Sequence, residues 1–336
     1  MGGTVIMKRV AAVLASVAAL LLFGLPPAAE AQKKMDKVTL RLNWYAYGEH
    51  APFAYGLKKG FYEAEGIDLQ ILEGSGSGPV VQAIGAATDR FGYADAYAMA
   101  GLLAKGVPVK MIATFVQTSP LSIIYFADKP IKGPKDLEGK KVSFTAGDSI
   151  HQAFQALLKV NNVDKSKVQE VYFDPRGKMT AVMAGQVDAM GGYYTTQAGQ
   201  IEAQTKKKAA YFRYVDFGVN ALSQGLLVNA KYLGEKDLNC RMVRASSKAW
   251  TEAARSPEEA AKILVEMFPK AGAVELNLAQ WKDTVQLMYT ANTRGKAAGW
   301  MAKEDWDTLL SLQKTYGNIE TKAPADYYTN EFFDCK

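Results

Sequence analysis

The sequence is poor in the residues that carry metal and covalent chemistry. Its 336 residues include two cysteines and two histidines, too few and too scattered for a metal site, which calls for three or four ligands at close spacing. It has no G-x-S-x-G, no H-E-x-x-H, and neither of the glycine-rich nucleotide loops G-x-G-x-x-G and G-x-x-x-x-G-K-[ST]. Hydrolase, zinc-protease and nucleotide-binding readings therefore have no support. Charge of one sign is also lacking: 40 Lys and Arg stand against 34 Asp and Glu, a net +6, and the one basic run, Lys206-Lys207-Lys208, is short. Nucleic-acid binding needs a clustered basic face, so that class is set aside. Beyond the N-terminus no apolar stretch is long enough to cross a bilayer.

What is present begins with an address. Lys8 and Arg9 precede an apolar run from Val10 to Leu25, followed by Pro26-Pro27 and Ala29-Glu30-Ala31. A basic start, an apolar core and an A-x-A site describe a secretory signal peptide over residues 1–31, cut before Gln32. A start at Met7 gives the more usual basic region; an uncleaved anchor is the weaker alternative. No cysteine sits at the cleavage point, so no lipid anchor is expected. The mature chain is expected to be exported and soluble. In an oxidising compartment Cys240 and Cys335 are expected to pair and pin the C-terminal tail to the body, with two free thiols as the alternative.

The mature chain alternates strand and helix. Val38–Leu42 alternates as a half-buried strand, His50–Tyr62 reads as a helix, Ile67–Leu72 as a second strand, and Phe91–Ala94 as a short buried one. Helices are expected after Gly78 and over 95–105, and further strands at Val109–Phe115 and Leu121–Phe126. Such alternation argues for an α/β fold with a mostly parallel sheet flanked by helices. A turn-rich crossing follows at Asp128–Lys140, and then the pattern restarts. VTLRLNW is answered by VSFTAGD, IDLQIL by VQEVYF, and GPVVQAIGAATDRFGYAD by GKMTAVMAGQVDAMGGYY. This predicts two lobes of one design: residues 32–127 with 225–336 as a discontinuous first lobe, and 128–224 as the second. Tyr211–Val228 is the return crossing, and helices are expected at Arg241–Arg255, from Ser256-Pro257, at Leu276–Tyr289 and at Lys303–Tyr316. Two lobes joined by two crossings make a hinge.

The ordered segments LNW, HAPF, GLKKGFYEAEGIDLQIL, GSGSG, FGYADA, KGVPVKMIA, DLEGKKV and AGQVDAM resemble the periplasmic solute-binding proteins of ABC importers. The branch is the one related to the thiamine-pyrimidine synthases, with sulfonate and nitrate binders as cousins. The resemblance implies a two-lobed type II periplasmic-binding fold and a membrane permease with its ATPase as partners. Ligands of such proteins are pyrimidine vitamin precursors, flavins, aromatic acids or sulfonates. His50 matches a histidine that the eukaryotic synthases use, but their cysteine cluster has no counterpart in Phe217–Val228. A non-enzymatic binder without cofactor, working as a monomer, is therefore expected.

Candidate ligand contacts follow from strand ends. Trp44 comes directly after the first strand, beside Asn43, and is the leading aromatic; flat heteroaromatic ligands are held by stacking. Tyr93 and Tyr97 follow the third strand, and Tyr193 and Tyr194 hold the matching place in the second lobe. Tyr45, Tyr47 and Tyr172 are lesser candidates. Ser75 and Ser77, and Asp148 and Ser149, lie in loops that open helices and could offer donors. Asp95, Gln117 and Asn220 complete the polar set. Asp188 is read as a helix cap, and His50 as scaffold. A sulfonate or nitrate binder is the alternative within the class.

Overall fold

The computed structural model describes residues 35–317 and 319–335; the signal peptide expected over residues 1–31 lies outside the described residues. Ten strands, β1 (Asp36–Arg41), β2 (Ile67–Leu72), β3 (Phe91–Asp95), β4 (Val109–Thr114), β5 (Leu121–Phe126), β6 (Lys141–Phe144), β7 (Gln169–Tyr172), β8 (Ala189–Tyr193), β9 (Ala209–Arg213) and β10 (Gln224–Asn229), form two five-stranded sheets. Their orders are β2-β1-β3-β10-β4 and β7-β6-β8-β5-β9. In each sheet the first three strands run parallel, and the fourth is antiparallel to both its neighbours. The repeat seen in the sequence is thus a repeat of topology.

The fourth strand of each sheet corrects the expected lobe boundary. The sequence alternation places Leu121–Phe126 in the first lobe, yet β5 pairs with β8 and β9 in the second sheet. The chain therefore crosses over at 115–120, before the turn-rich segment at Asp128, and returns over 220–223. The crossings are bonded to each other: Ser223 N donates to the Val116 carbonyl at 3.1 Å and Val116 N to the Gln224 carbonyl at 3.0 Å.

Helices cover the sheets: α1 (Ala51–Lys58), α2 (Phe61–Ala64), α3 (Ser77–Gly85), α4 (Ala96–Ala104), α5 (Ser149–Val160), α6 (Gly177–Met183), α7 (Gly199–Thr205), α8 (Lys236–Arg255), α9 (Pro257–Met267), α10 (Val274–Val285), α11 (Lys303–Tyr316) and α12 (Pro324–Tyr327). The single helix expected over His50–Tyr62 is two, because Gly60 adopts φ +71° and reverses the chain between them. Side chains of α1 and α8 meet β3 and β4 in an aromatic core. Phe115 stacks on Trp250 at 4.8 Å, while Phe53 and Trp281 meet Trp250 edge-on. All four rings are fully buried, so this core supplies large apolar area to the first lobe.

Cys240 on α8 is bonded to Cys335 in the tail. The bond closes a loop across 95 positions of sequence, so it restricts the unfolded chain strongly. Paired replacement Cys240→Ser with Cys335→Ser should lower unfolding free energy by about 2–4 kcal/mol. Urea titration of both forms, with and without reductant, checks this; an unchanged midpoint would remove the bond from the stability account.

Candidate functional site

The C-terminal ends of the parallel strands of both sheets face one cleft, where ligands of α/β sheets are held. Asn43, Trp44 and Tyr47 arrive from the end of β1, and Gly76 and Ser77 from the end of β2. Asp148, Ser149 and Ile150 follow β6, Lys178 lies on α6 after β7, Tyr193 ends β8, and Gln197 lies in the π-helical turn Tyr194–Ala198. Together they line a recess of about 320 Å³, open solvent at its mouth included. The first turn of α3 touches the loop ahead of α5: Gly78 N donates to the Gly147 carbonyl at 3.2 Å. A Cβ on Gly78 would lie 2.5 Å from that oxygen, so glycine is what allows this approach.

Charge in the cleft is held by one ion pair. Lys178 Nζ donates to Asp148 Oδ2 at 3.0 Å, with the two side chains 1% and 3% exposed. Asp148 also caps α5, accepting from His151 N at 2.7 Å through Oδ1 and from Thr145 N at 3.2 Å through Oδ2. Its carboxylate is thus fully compensated, as burial demands. Lys178 Nζ lies 5.1 Å from the Trp44 ring centroid, a cation–π contact between the lobes. A second one, Arg176 against Tyr45 at 4.6 Å, sits farther out on the rim.

Below the floor is a layer of buried acids and phenols. Tyr93 OH donates to Glu49 Oε1 at 3.0 Å. Glu49 is almost wholly buried, and burial pushes its carboxyl up to about 8, opposed by hydrogen bonds from tyrosine. Asp95 caps α4 through Tyr97 N and Ala98 N and accepts from Ser223 Oγ at 3.0 Å; burial raises it to about 6 despite those bonds. His50 accepts Tyr47 N on Nδ1 at 3.3 Å and meets Asn43 Oδ1 with Nε2 at 2.7 Å. Burial lowers its pKa to about 3, so it is neutral scaffold.

Six of the sequence-derived candidates line the cavity: Asn43, Trp44, Ser77, Asp148, Ser149 and Tyr193. The other seven are placed elsewhere. Tyr93 and Asp95 are in the layer beneath, and Tyr97 is buried, its carbonyl accepting from Gln313. Gln117 braces the crossing by donating to the Thr114 and Trp300 carbonyls at 3.0 and 2.8 Å. Tyr194 stacks on Tyr211 with centroids 5.0 Å apart, because its neighbour Tyr193 takes the inward direction at the strand end. Ser75 is exposed between its glycines, and Asn220 is exposed in a separate surface hollow with Asp307 and Tyr316. Asp188 accepts Lys141 N between strands and caps no helix. Tyr47, a lesser candidate, does line the cavity, while Lys178 and Gln197 gave no sequence signal: a lone lysine in a polar segment reads as solvated.

The family description NMT1/THI5 like matches residues 48–260. The riboflavin-binding protein RibY of Chloroflexus aurantiacus is 25% identical over 318 residues, 91% of this chain and 88% of its own. The 4-amino-5-hydroxymethyl-2-methylpyrimidine phosphate synthase of Legionella pneumophila is 26% identical over 240 residues, 70% of this chain and 75% of its own. The periplasmic aliphatic sulphonate binding protein SsuA of Escherichia coli superposes with a TM-score of 0.67 at 13% identity, covering 86% of this chain and 91% of that one. That likeness shows the fold, the two-lobed α/β periplasmic-binding architecture.

The buried Glu49 has a consequence for stability. Its folded pKa lies above the ordinary carboxylate value of 4.5, so the folded protein keeps a proton that the unfolded chain gives up. Stability should therefore fall as pH rises from about 4.5 to about 8 and level off above, with Asp95 contributing to the lower part of that window. In Glu49→Gln most of this slope should vanish, so the variant gains on the parent as pH rises. Melting temperatures at pH 5 and pH 8.5 test it; equal slopes in the two proteins would rule it out.

Proposed function

The chain belongs to the NMT1/THI5-like family, and on that premise we propose that it is the extracytoplasmic solute-binding component of an ABC importer. It captures a small aromatic or heteroaromatic polar ligand by closing its two lobes around it, residues 36–115 with 224–335 as one moving body and 121–220 as the other. The observation that carries the reading is the cleft. Trp44 from one sheet faces Asp148, Ser149 and Tyr193 from the other across a single cavity. A ligand there touches both bodies, and closure shifts by its differential affinity for the closed form. The name of the riboflavin-binding relative supports a flat heteroaromatic ligand such as a pyrimidine vitamin precursor, a flavin or an aromatic acid.

The signal peptide directs the chain to the periplasm and is removed there; once loaded, the mature protein delivers to a membrane permease coupled to a cytoplasmic ATPase. A pyrimidine-synthase activity, suggested by the Legionella relative's name, is disfavoured by the cysteine-free Phe217–Val228. Lys178 beside the N-terminus of α5 favours one second reading within the class, a sulfonate- or nitrate-type anion.

A thermal-shift screen of pyrimidines, flavins, aromatic acids and alkanesulfonates separates these readings, because ligand binding raises the melting temperature by mass action. Trp44→Ala should weaken the best aromatic ligand at least tenfold, about 1.4 kcal/mol. Shifts from non-aromatic anions alone, undiminished in Trp44→Ala, would sink the aromatic reading. Gly78→Ala should also weaken binding at least tenfold, since its methyl collides with the Gly147 carbonyl on closure, while the unliganded melting temperature stays within a degree or two. Unchanged affinity in Gly78→Ala would mean that the loops need not meet.

A further inference from the structure

The net charge of the chain is gathered at one place. β6, β7 and β8 run parallel with their C-terminal ends at the cleft, so their first residues lie at the opposite end of the second sheet. β5, antiparallel to β8, ends there, and β9, antiparallel to β5, begins there, with Phe126 facing Ala209. The segments that make up this far end are 127–141, 163–169, 185–189 and 205–209. They hold ten lysines and five acids, a surplus of +5. The whole chain carries +6, and residues 1–31 account for +1 of it through Lys8, Arg9 and Glu30. Everything else in the chain therefore sums to zero.

These lysines form a row rather than a scatter. Lys129 follows β5, and Lys140 and Lys141 open β6. Lys206 to Lys208 lead into β9, tied to the end of β5 by a bond from Ala127 N to the Lys208 carbonyl at 3.0 Å. The strand order β7-β6-β8-β5-β9 spreads the row over about 20 Å at about 4.8 Å per strand, so neighbouring charges lie within about one screening length at physiological salt. Lys140 is half-buried and the other five are exposed. Among the described residues, ion pairs at this end engage only Lys135, Lys165 and Lys167. The acids are already occupied: Glu138 by Lys135 and Lys167, Asp136 by Lys132 N, and Asp188 by Lys141 N. The corresponding end of the first sheet is neutralised instead, with Arg90 paired to Glu235, and Arg241 to Asp36 and Asp237.

The makeup of this surface decides what fits it. Specific phosphate or nucleic-acid recognition uses arginine forks and aromatic stacking, and the four segments contain no arginine and no aromatic residue. Lysine is a flexible point charge suited to a diffuse layer of anions. The branched apolar residues of these segments, Ile131, Leu137, Val163, Val168 and Val187, are all buried, so nothing here enters hydrocarbon. We propose that the far end of the second lobe is an electrostatic landing surface for an anionic phospholipid bilayer, bound through headgroups alone. Such contact is reversible and salt-sensitive. It takes place at the opposite end of the sheet from the cleft, so it leaves the cleft mouth uncovered, and it keeps the protein beside the bilayer that an import permease occupies. The proposal goes beyond the ligand reading above and holds for any ligand.

Sedimentation of the mature protein with phosphatidylcholine vesicles, with and without roughly a third phosphatidylglycerol, tests this. At about 10 mM ionic strength binding is expected only to the anionic vesicles, and it should fall about tenfold or more at about 150 mM. Two double variants divide the row: Lys207→Gln with Lys208→Gln, and Lys140→Gln with Lys141→Gln. Each should weaken binding to the anionic vesicles about tenfold, with melting temperatures reporting that it folds. Lys58→Gln with Lys262→Gln removes the same charge from α1 and α9 of the first lobe and should leave binding within about a factor of two. Equal binding to neutral and anionic vesicles, no binding to either at the lower ionic strength, or an equal loss in the first-lobe control overturns the proposal. So does binding of heparin or single-stranded DNA without binding to the anionic vesicles, which would assign the row to a soluble polyanion.

Discussion

Each sheet is completed by a strand that the chain delivers on its way out of the other. β5 enters the second sheet between β8 and β9, and β10 enters the first between β3 and β4. Because both are antiparallel to their neighbours, the crossings leave from the same ends of the sheets and lie side by side, bonded through Val116, Ser223 and Gln224. That constraint puts the C-terminal ends of all the parallel strands on a common cleft. It also confines relative motion of the lobes to two short, mutually bonded segments. The ligand site and the hinge are therefore consequences of one topological choice.

Within the cleft, the ends of side chains are set by their neighbours. His50 holds Asn43, the Tyr193 backbone holds Gln197, and Asp148 holds Lys178. A buried amide free to flip would offer a donor or an acceptor as the ligand required and so discriminate poorly. Tied at its oxygen, it offers one chemistry only. The cost of such order is met in the fold rather than at binding, which is the sense in which the site is preorganised.

The sequence made the architecture legible and the site only partly so. Architecture shows because strands, glycine turns and helix starts are local: the pairing of VTLRLNW with VSFTAGD anticipated that β1 and β6 occupy equivalent places. Trp44 and Asn43 were readable because they directly follow an alternating strand. Tyr93 and Tyr194 were not, since which of two adjacent residues points inward at a strand end depends on how the next helix packs. Lys178 could not be read because its partner Asp148 is 30 positions away, and only tertiary structure shows that the charge is buried. β5 was misplaced for a similar reason: an apolar strand carries no mark of the sheet it will join.

The direct contacts between lobes at the mouth are modest in kind. The Gly78–Gly147 backbone bond exchanges a hydrogen bond with water and is worth about 0.5–1.5 kcal/mol. The Trp44–Lys178 and Tyr45–Arg176 contacts each bring about 0.5–2 kcal/mol. The Lys178–Asp148 pair adds nothing to closure, because β6 and β7 belong to one sheet and both residues lie after them in the same lobe. Against these gains stands the ordering of two mobile bodies and their rim side chains. The lobes also share a buried apolar cluster, in which Ala100 and Leu309 of the first join Phe154 and Leu157 of the second, so the contacts at the mouth are not the whole of what joins them.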